Sequence, residues 1–360
     1  MSIWFRLCFF LPSSVILSLL MCPFSARSEC MIESVPDGSD AFVMHLSKAC
    51  TDGERLAHAI HAEALLEAIQ RGQEIDLIGV VVVGNLFLDQ LPLVDAPTPD
   101  QLPPLIQKLL ASRGVKTLRV ISRSISIRDS RIQGTISTRL KEGYLLLRGP
   151  VTMTGTTCED MVDLSHTLFS ETVNLSDAVF RREGLFIQTM FNKPTRFERV
   201  AFGVHTRFHR ARFIETVTFE KAGFNGLAEF LEVVFDKEAN FSYSNFKMGT
   251  GFSGARFAGN LDFSDVLFER DVYFLFTRFN GDATFRGATF RGQADFSDAE
   301  FHGMSDFSRV SFTADPVFQR TKLPGPLPTR ERLQSSQTLY GVAAGLLVCT
   351  VLCVWIFRSR

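Results

Sequence analysis

Residues 283–301 read ATFRGATFRGQADFSDAEF, and the placing of Phe285, Phe290, Phe296 and Phe301 in that stretch decides the fold. The steps between them are five, six and five residues. The alternation runs back without a missed step through Phe279, Phe274, Phe268, Phe263, Phe257, Phe252, Phe246, Phe241, Phe235, Phe230, Phe224, Phe219, Phe213, Phe208, Phe202, Phe197, Phe191, Phe186 and Phe180, and forward through Phe307, Phe312 and Phe318. Repetition of this kind marks units that bury their apolar face only by stacking on one another. A flat strand does not explain it, because a five-residue step sends alternate side chains to opposite faces. A helix does not either, since five residues at about 100° each leave successive rings about 140° apart. Eleven-residue repeats occur in right-handed coiled coils, but those need apolar residues three and four apart, and this stretch is rich in glycine and β-branched residues that suit long helices poorly.

A square tube does explain it. If each short side turns a corner, every fifth or sixth residue faces the axis again. Residues two before the Phe fit a narrow tube: Ala178, Ala211, Ala222, Ala228, Ala239, Ala255, Ala283, Ala288, Ala294 and Ala299, with Ser, Thr or Val at most of the others. Turn pairs follow the rings, among them Asn225-Gly226, Ser253-Gly254, Ser264-Asp265, Asn280-Gly281, Arg286-Gly287 and Arg291-Gly292. Segments such as Ala283–Phe290 and Ala294–Phe301 resemble the Phe-centred variety of pentapeptide repeats, over about residues 150 to 318. The resemblance implies an all-β chain, a right-handed quadrilateral β-helix. One residue inserted in alternate repeats makes two five-residue and two six-residue sides, about 22 residues per coil, with bulged corners at the longer sides. On this reading Phe202, Phe213, Phe224, Phe235, Phe246, Phe257, Phe268, Phe279, Phe290 and Phe301 are structural core.

Extended backward, the register lands on Met153, Cys158, Leu164, Phe169 and Leu175, which makes Cys158 a packing residue. Residues 153–318 are therefore the regular β-helix and 73–152 its irregular first coils, with a Pro-rich insertion at 89–114 that holds a short helix over Leu105–Ala111. Residues 29–72 form an N-terminal segment. Its helix starts at Thr51 or Asp52, ends at Gly72, lines up Leu56, Ala59, Ile60, Leu66 and Ile69, and caps the first sheet edge. His58 and His61 fall one turn apart on this helix; such a pair can hold a metal, but two exposed helix histidines are the commoner explanation.

The two ends read as targeting segments. Residues 1–28 have an apolar run from Leu7 to Met21, with Ala26 and Ser28 placed as at a signal-peptidase site; an uncleaved anchor is the alternative. Residues 319–338 form a linker stiffened by Pro324, Pro326 and Pro328. The uncharged run Leu339–Phe357 is long enough to cross the roughly 30 Å apolar layer as a helix. Together these predict a single-pass membrane protein with its body outside the cytoplasm, and the family resemblance adds a bacterial cell envelope. Cys30 and Cys50 lie in the exported body, where they either form a disulfide or stand as free thiols; no spacing rule decides.

Net charge is −1, so no global excess of one sign points to nucleic acid or to a membrane surface. The one local basic band is Arg196, Arg199, Arg207, Arg210 and Arg212, with His205 and His209 among them. It is a candidate contact for an anionic group or partner, against the plainer reading of a solvated face. Asp262, Asp265, Asp295 and Asp298 read as solvated corners. No nucleophile, phosphate-loop, dinucleotide or zinc-protease motif is present, so no catalytic residue, cofactor or metal is expected. Some pentapeptide-repeat proteins mimic DNA and act on type II topoisomerases, which the resemblance offers as one function. The exported topology and basic band favour instead a non-enzymatic scaffold or binding module for a protein or glycan. A carbohydrate-active enzyme on a β-helix is a third reading, and lacks a carboxylate cluster.

Overall fold

A computed structural model describes residues 29–34, 39–98, 101–140 and 143–325. The chain winds into a β-solenoid of about 11 turns, with the coils in parallel register. Four sheets, A to D in chain order, hold 12, 11, 9 and 10 strands and form the four sides. One coil runs through Val217–Thr218 on side A, Gly223–Phe224 on B, Leu227–Glu229 on C and Val234–Phe235 on D. Pairing of Phe202 with Phe224 and of Phe213 with Phe235 fixes the 22-residue period.

The rings fill the tube in four columns. Phe219 stacks on Phe197 at 4.7 Å and on Phe241 at 4.6 Å, while neighbouring columns meet edge to face, as Phe219 does with Phe230 at 5.7 Å. Both arrangements suit the ring quadrupole. Phe186 to Phe301 along the register are essentially inaccessible. Cys158 sits among them, and burial pushes its thiol up to about 12, so it stays protonated and inert.

The five- and six-residue corners differ. The A-to-B and C-to-D corners are five-residue steps, and the second residue after the ring is left-handed there: Lys221 has φ 57°, Glu232 56°, Tyr243 59° and Asp265 54°. The Ala222 N–H then donates to the Phe219 carbonyl at 2.9 Å, as in a type II turn, so the small residue two before the next ring also closes the corner. Gly254 and Gly287 occupy such positions. Gly84 and Gly134 are left-handed at the B-to-C corners of the first coils, but the six-residue corners of the regular coils need no left-handed residue. Their glycines serve close approach: a Cβ on Gly226 would fall inside the backbone of Val204 in the preceding coil. The local strain therefore lies at the shorter corners, not at the longer ones expected to bulge.

The N-terminal end is closed piecewise rather than by one helix. Residues 52–72 split into α1 (Asp52–Ala57) and α2 (Ala62–Gln70) around a strand, Ile60–His61, that begins sheet B by pairing with Val82–Val83. A capping box of Thr51 and Glu54 starts α1, which buries none of its residues. Ile60 turns into the tube and takes the chain out of the helix there. Only α2, through Leu65, Leu66 and Ile69, packs on the core. Sheet A ends in the antiparallel strand Ile32–Ser34 and sheet D in the antiparallel Leu93–Asp95. In the insertion, α3 (Pro104–Ser112) lays Ile106 and Leu110 over the outside of side D, against Leu118, Leu146, Leu168 and Met190. No helix among the described residues is long and apolar enough to cross a membrane; the segments 1–28 and 339–357 lie outside them.

Candidate interaction faces

With the inside filled, every remaining side chain points outward, and its face is set by its place in the 22-residue coil. The five arginines of the basic stretch consequently separate. Arg196 lies on side A, Arg199 at the A-to-B corner, Arg207 on C, Arg210 at the C-to-D corner and Arg212 on D. Four of them are also neutralised. Arg199 grips Asp177 at 2.7 Å, Arg210 pairs with Glu232 at 2.8 Å and Arg212 with Asp236 at 2.6 Å. Arg207 donates to Glu229 at 2.9 Å. Arg196 alone has no carboxylate partner among the described residues. The stretch is a spiral of ion pairs rather than a band, because residues five or six apart in sequence occupy different sides.

Side C holds a cluster of one carboxylate with three basic side chains. One Glu229 carboxylate oxygen lies 2.7 Å from His205 Nε2 and 3.4 Å from His209 Nε2 in addition to Arg207. Burial opposes the charge on Glu229, but the hydrogen bond from His205 and the charges of His209, His205 and Arg207 outweigh it, so its pKa is lowered. No His, Cys, Asp and Glu group among the described residues is arranged to hold a metal. His58 ends α1 and His61 precedes α2, so the two do not share a helix face.

The carboxylates considered as candidates are corner elements. Asp262 and Asp295 accept from the N–H of Ser264 and Ser297 at 2.7 and 2.9 Å, and Asp298 pairs with Arg320. Asp265 holds a left-handed corner. Cys30 and Cys50 are joined by a disulfide, which ties the terminal antiparallel strand to the turn before α1.

Sequence reasoning missed a patch on side C. In the coil of Thr250–Gly251, glycine stands at 249, 251 and 254, so this side is nearly bare. On one flank Leu227 and Leu231 lean over Gly249 and Gly251. On the other stand Tyr273, Leu275 and Phe276, with Met248 at the rim. Phe276 is 64% exposed, Met248 49%, Leu227 41% and Tyr273 40%. The signal was present: Phe276 is the only phenylalanine between 180 and 318 outside the five-six register.

These features define a parallel β-solenoid whose interior is structural and whose chemistry is confined to its faces. A family model described as pentapeptide repeats (9 copies) matches residues 230–277, 263–311 and 277–322, all within the regular coils of the solenoid. Comparisons with curated proteins and with solved structures give no match.

Proposed function

We propose that the chain is a non-enzymatic scaffold or binding module, held by a single C-terminal span in a bacterial envelope with the solenoid outside the cytoplasm, and engaging a protein or glycan through its outer faces. The observation that carries this reading is the use made of its polar groups. The interior of the tube is filled by packed side chains, and three of the four candidate carboxylates and all but one of the candidate arginines are engaged in corner hydrogen bonds or ion pairs, so recognition falls to exposed surface. The Cys30–Cys50 bond supports an oxidising compartment, where such bonds persist. Reporter fusions after Arg360 and just before Leu339 test the topology. The expected result is a cytoplasmic reporter at the first site and an exported one at the second. A cytoplasmic reporter before Leu339 would overturn the envelope reading.

A further inference from the structure

Side C of the solenoid carries large exposed side chains in one coil beside glycines in the next. Tyr273 stands directly beside Gly251 in the ladder, and Phe276 one coil beyond Gly254 at the same corner. Each large exposed side chain thus neighbours a position where the side chain is missing. Consider a two-fold axis parallel to the strands of side C and midway between these two coils. It lays two rods antiparallel, side C to side C. Residue i of one coil then meets the residue 22 positions away on the other chain. Tyr273 falls on the partner's Gly251 and its Leu231 floor, and Phe276 on the partner's Gly254, while each receives the reciprocal contact. This is the self-complementarity that an isologous interface requires.

We propose that this patch of Leu227, Leu231, Met248, Tyr273, Leu275 and Phe276 binds a second copy of the chain. Two observations favour that occupant. First, Phe276 combines two locally unfavourable features, an apolar ring in water and a left-handed φ of 56° on a bulky residue. The corresponding C-to-D corners hold His166, Gln188, Arg210, Glu232, Gly254, Asp298 and Arg320, so the fold itself does not ask for a phenylalanine there. Second, leucine and methionine beside the aromatics suit an apolar protein surface better than a sugar, and the two-fold sets each large side chain of one copy over a glycine of the other. In the next coils Glu232 faces the partner's Asp298, each carboxylate keeping its own ion pair within its chain, with Arg210 and with Arg320. The inference goes beyond the scaffold reading and holds on either side of a membrane.

The test uses the full chain in detergent micelles. Light scattering is expected to give a dimer, and Phe276→Asn to weaken the dimer at least about tenfold, with Tyr273→Ser acting in the same direction. Asn tolerates the left-handed corner, so its circular dichroism should be that of the parent. A p-benzoylphenylalanine at position 276 should cross-link to residues 248–254 of a differently tagged copy. A monomer for the parent chain, a dimer indifferent to Phe276→Asn, or cross-links only to another protein or another face would each overturn the proposal.

Discussion

Phe274 and Phe276 are two residues apart and should respond to substitution in opposite ways. Phe274 is fully buried, stacked on Phe252 at 5.2 Å and on Phe296 at 4.8 Å, with Phe263 and Phe285 each 5.9 Å away edge-on. Its coil cannot close on a cavity. The Phe252 N–H donates to the Tyr273 carbonyl and the Phe274 N–H to that of Asp295, both at 2.7 Å, and these ladders fix the coil spacing. Phe→Ala in a core costs about 3–5 kcal/mol, ring contacts included, and a site packed by four other rings belongs at the upper end, so Phe274→Ala should cost about 5 kcal/mol. Phe276 is exposed and left-handed, a conformation that costs a bulky residue about 1–2 kcal/mol and asparagine less. Phe276→Asn should therefore be neutral or stabilising by up to ~1 kcal/mol in the monomer. Denaturant unfolding at high dilution, read by hydrogen exchange in peptides from residues 250–300, measures both, since a repeat array need not unfold as one unit. Phe274→Ala within about 1 kcal/mol of the parent, or Phe276→Asn destabilising by more than about 2, would refute the division between inward register and outward corner.

Gly226→Ala should destabilise strongly, because its Cβ meets the backbone of Val204, whereas Gly223→Ala, with nothing within 4 Å of the new methyl, should be close to neutral in thermal melts. Reduction of Cys30–Cys50, whose partners are 20 residues apart, should cost about 3 kcal/mol and show first as faster exchange in Ile32–Ser34. Glu229 and Asp76 have folded pKa values lowered from 4.5 and 3.8. Burial opposes both shifts, and they are carried for Glu229 by His205, His209 and Arg207 and for Asp76 by Arg128 and His45. A depressed carboxylate contributes stability that is present above its unfolded pKa and lost as pH falls through the folded one. Stability should thus hold above about pH 5 and fall progressively below 4, less steeply in Glu229→Gln, as followed by unfolding midpoints between pH 6 and 2.

The tube was legible because its interior repeats: the five-six Phe steps and the alanines two before them state where each side begins. Corner glycines were legible only as turn residues. Gly254 supplies a left-handed φ and Gly226 a close approach, and the two look alike in sequence. The arginine stretch misled because local density in sequence is not density in space on a solenoid. The informative step was 22 or 24, which pairs Arg207 with Glu229 and Arg212 with Asp236. The N-terminal helix was half legible. A start at Thr51 or Asp52 and its apolar residues were visible, but tertiary pairing of Ile60 with Val82 overrode the helical pattern.

In a solenoid each coil touches only its neighbours, so stability is close to a sum of coil and interface terms, and outward positions can change with little effect on the fold. Departures from the repeat that weaken a coil are then informative. The coil of Thr250–Gly251 concentrates glycines at 249, 251 and 254, each of which loses more conformational freedom on ordering than alanine, by roughly 0.5–1 kcal/mol. Its neighbour adds the left-handed, exposed Phe276. Elsewhere the left-handed corners carry mostly polar or charged residues, several linked to the next coil by ion pairs such as Asp177 with Arg199 and Asp298 with Arg320. Two adjacent coils therefore forgo stability on side C, as the first of them also does at the A-to-B corner with the exposed, left-handed Tyr243, while their inward rings keep the register without a break. On side C the large residues of one coil stand 22 positions from the glycines of the other, the register that association of two copies through this face would use.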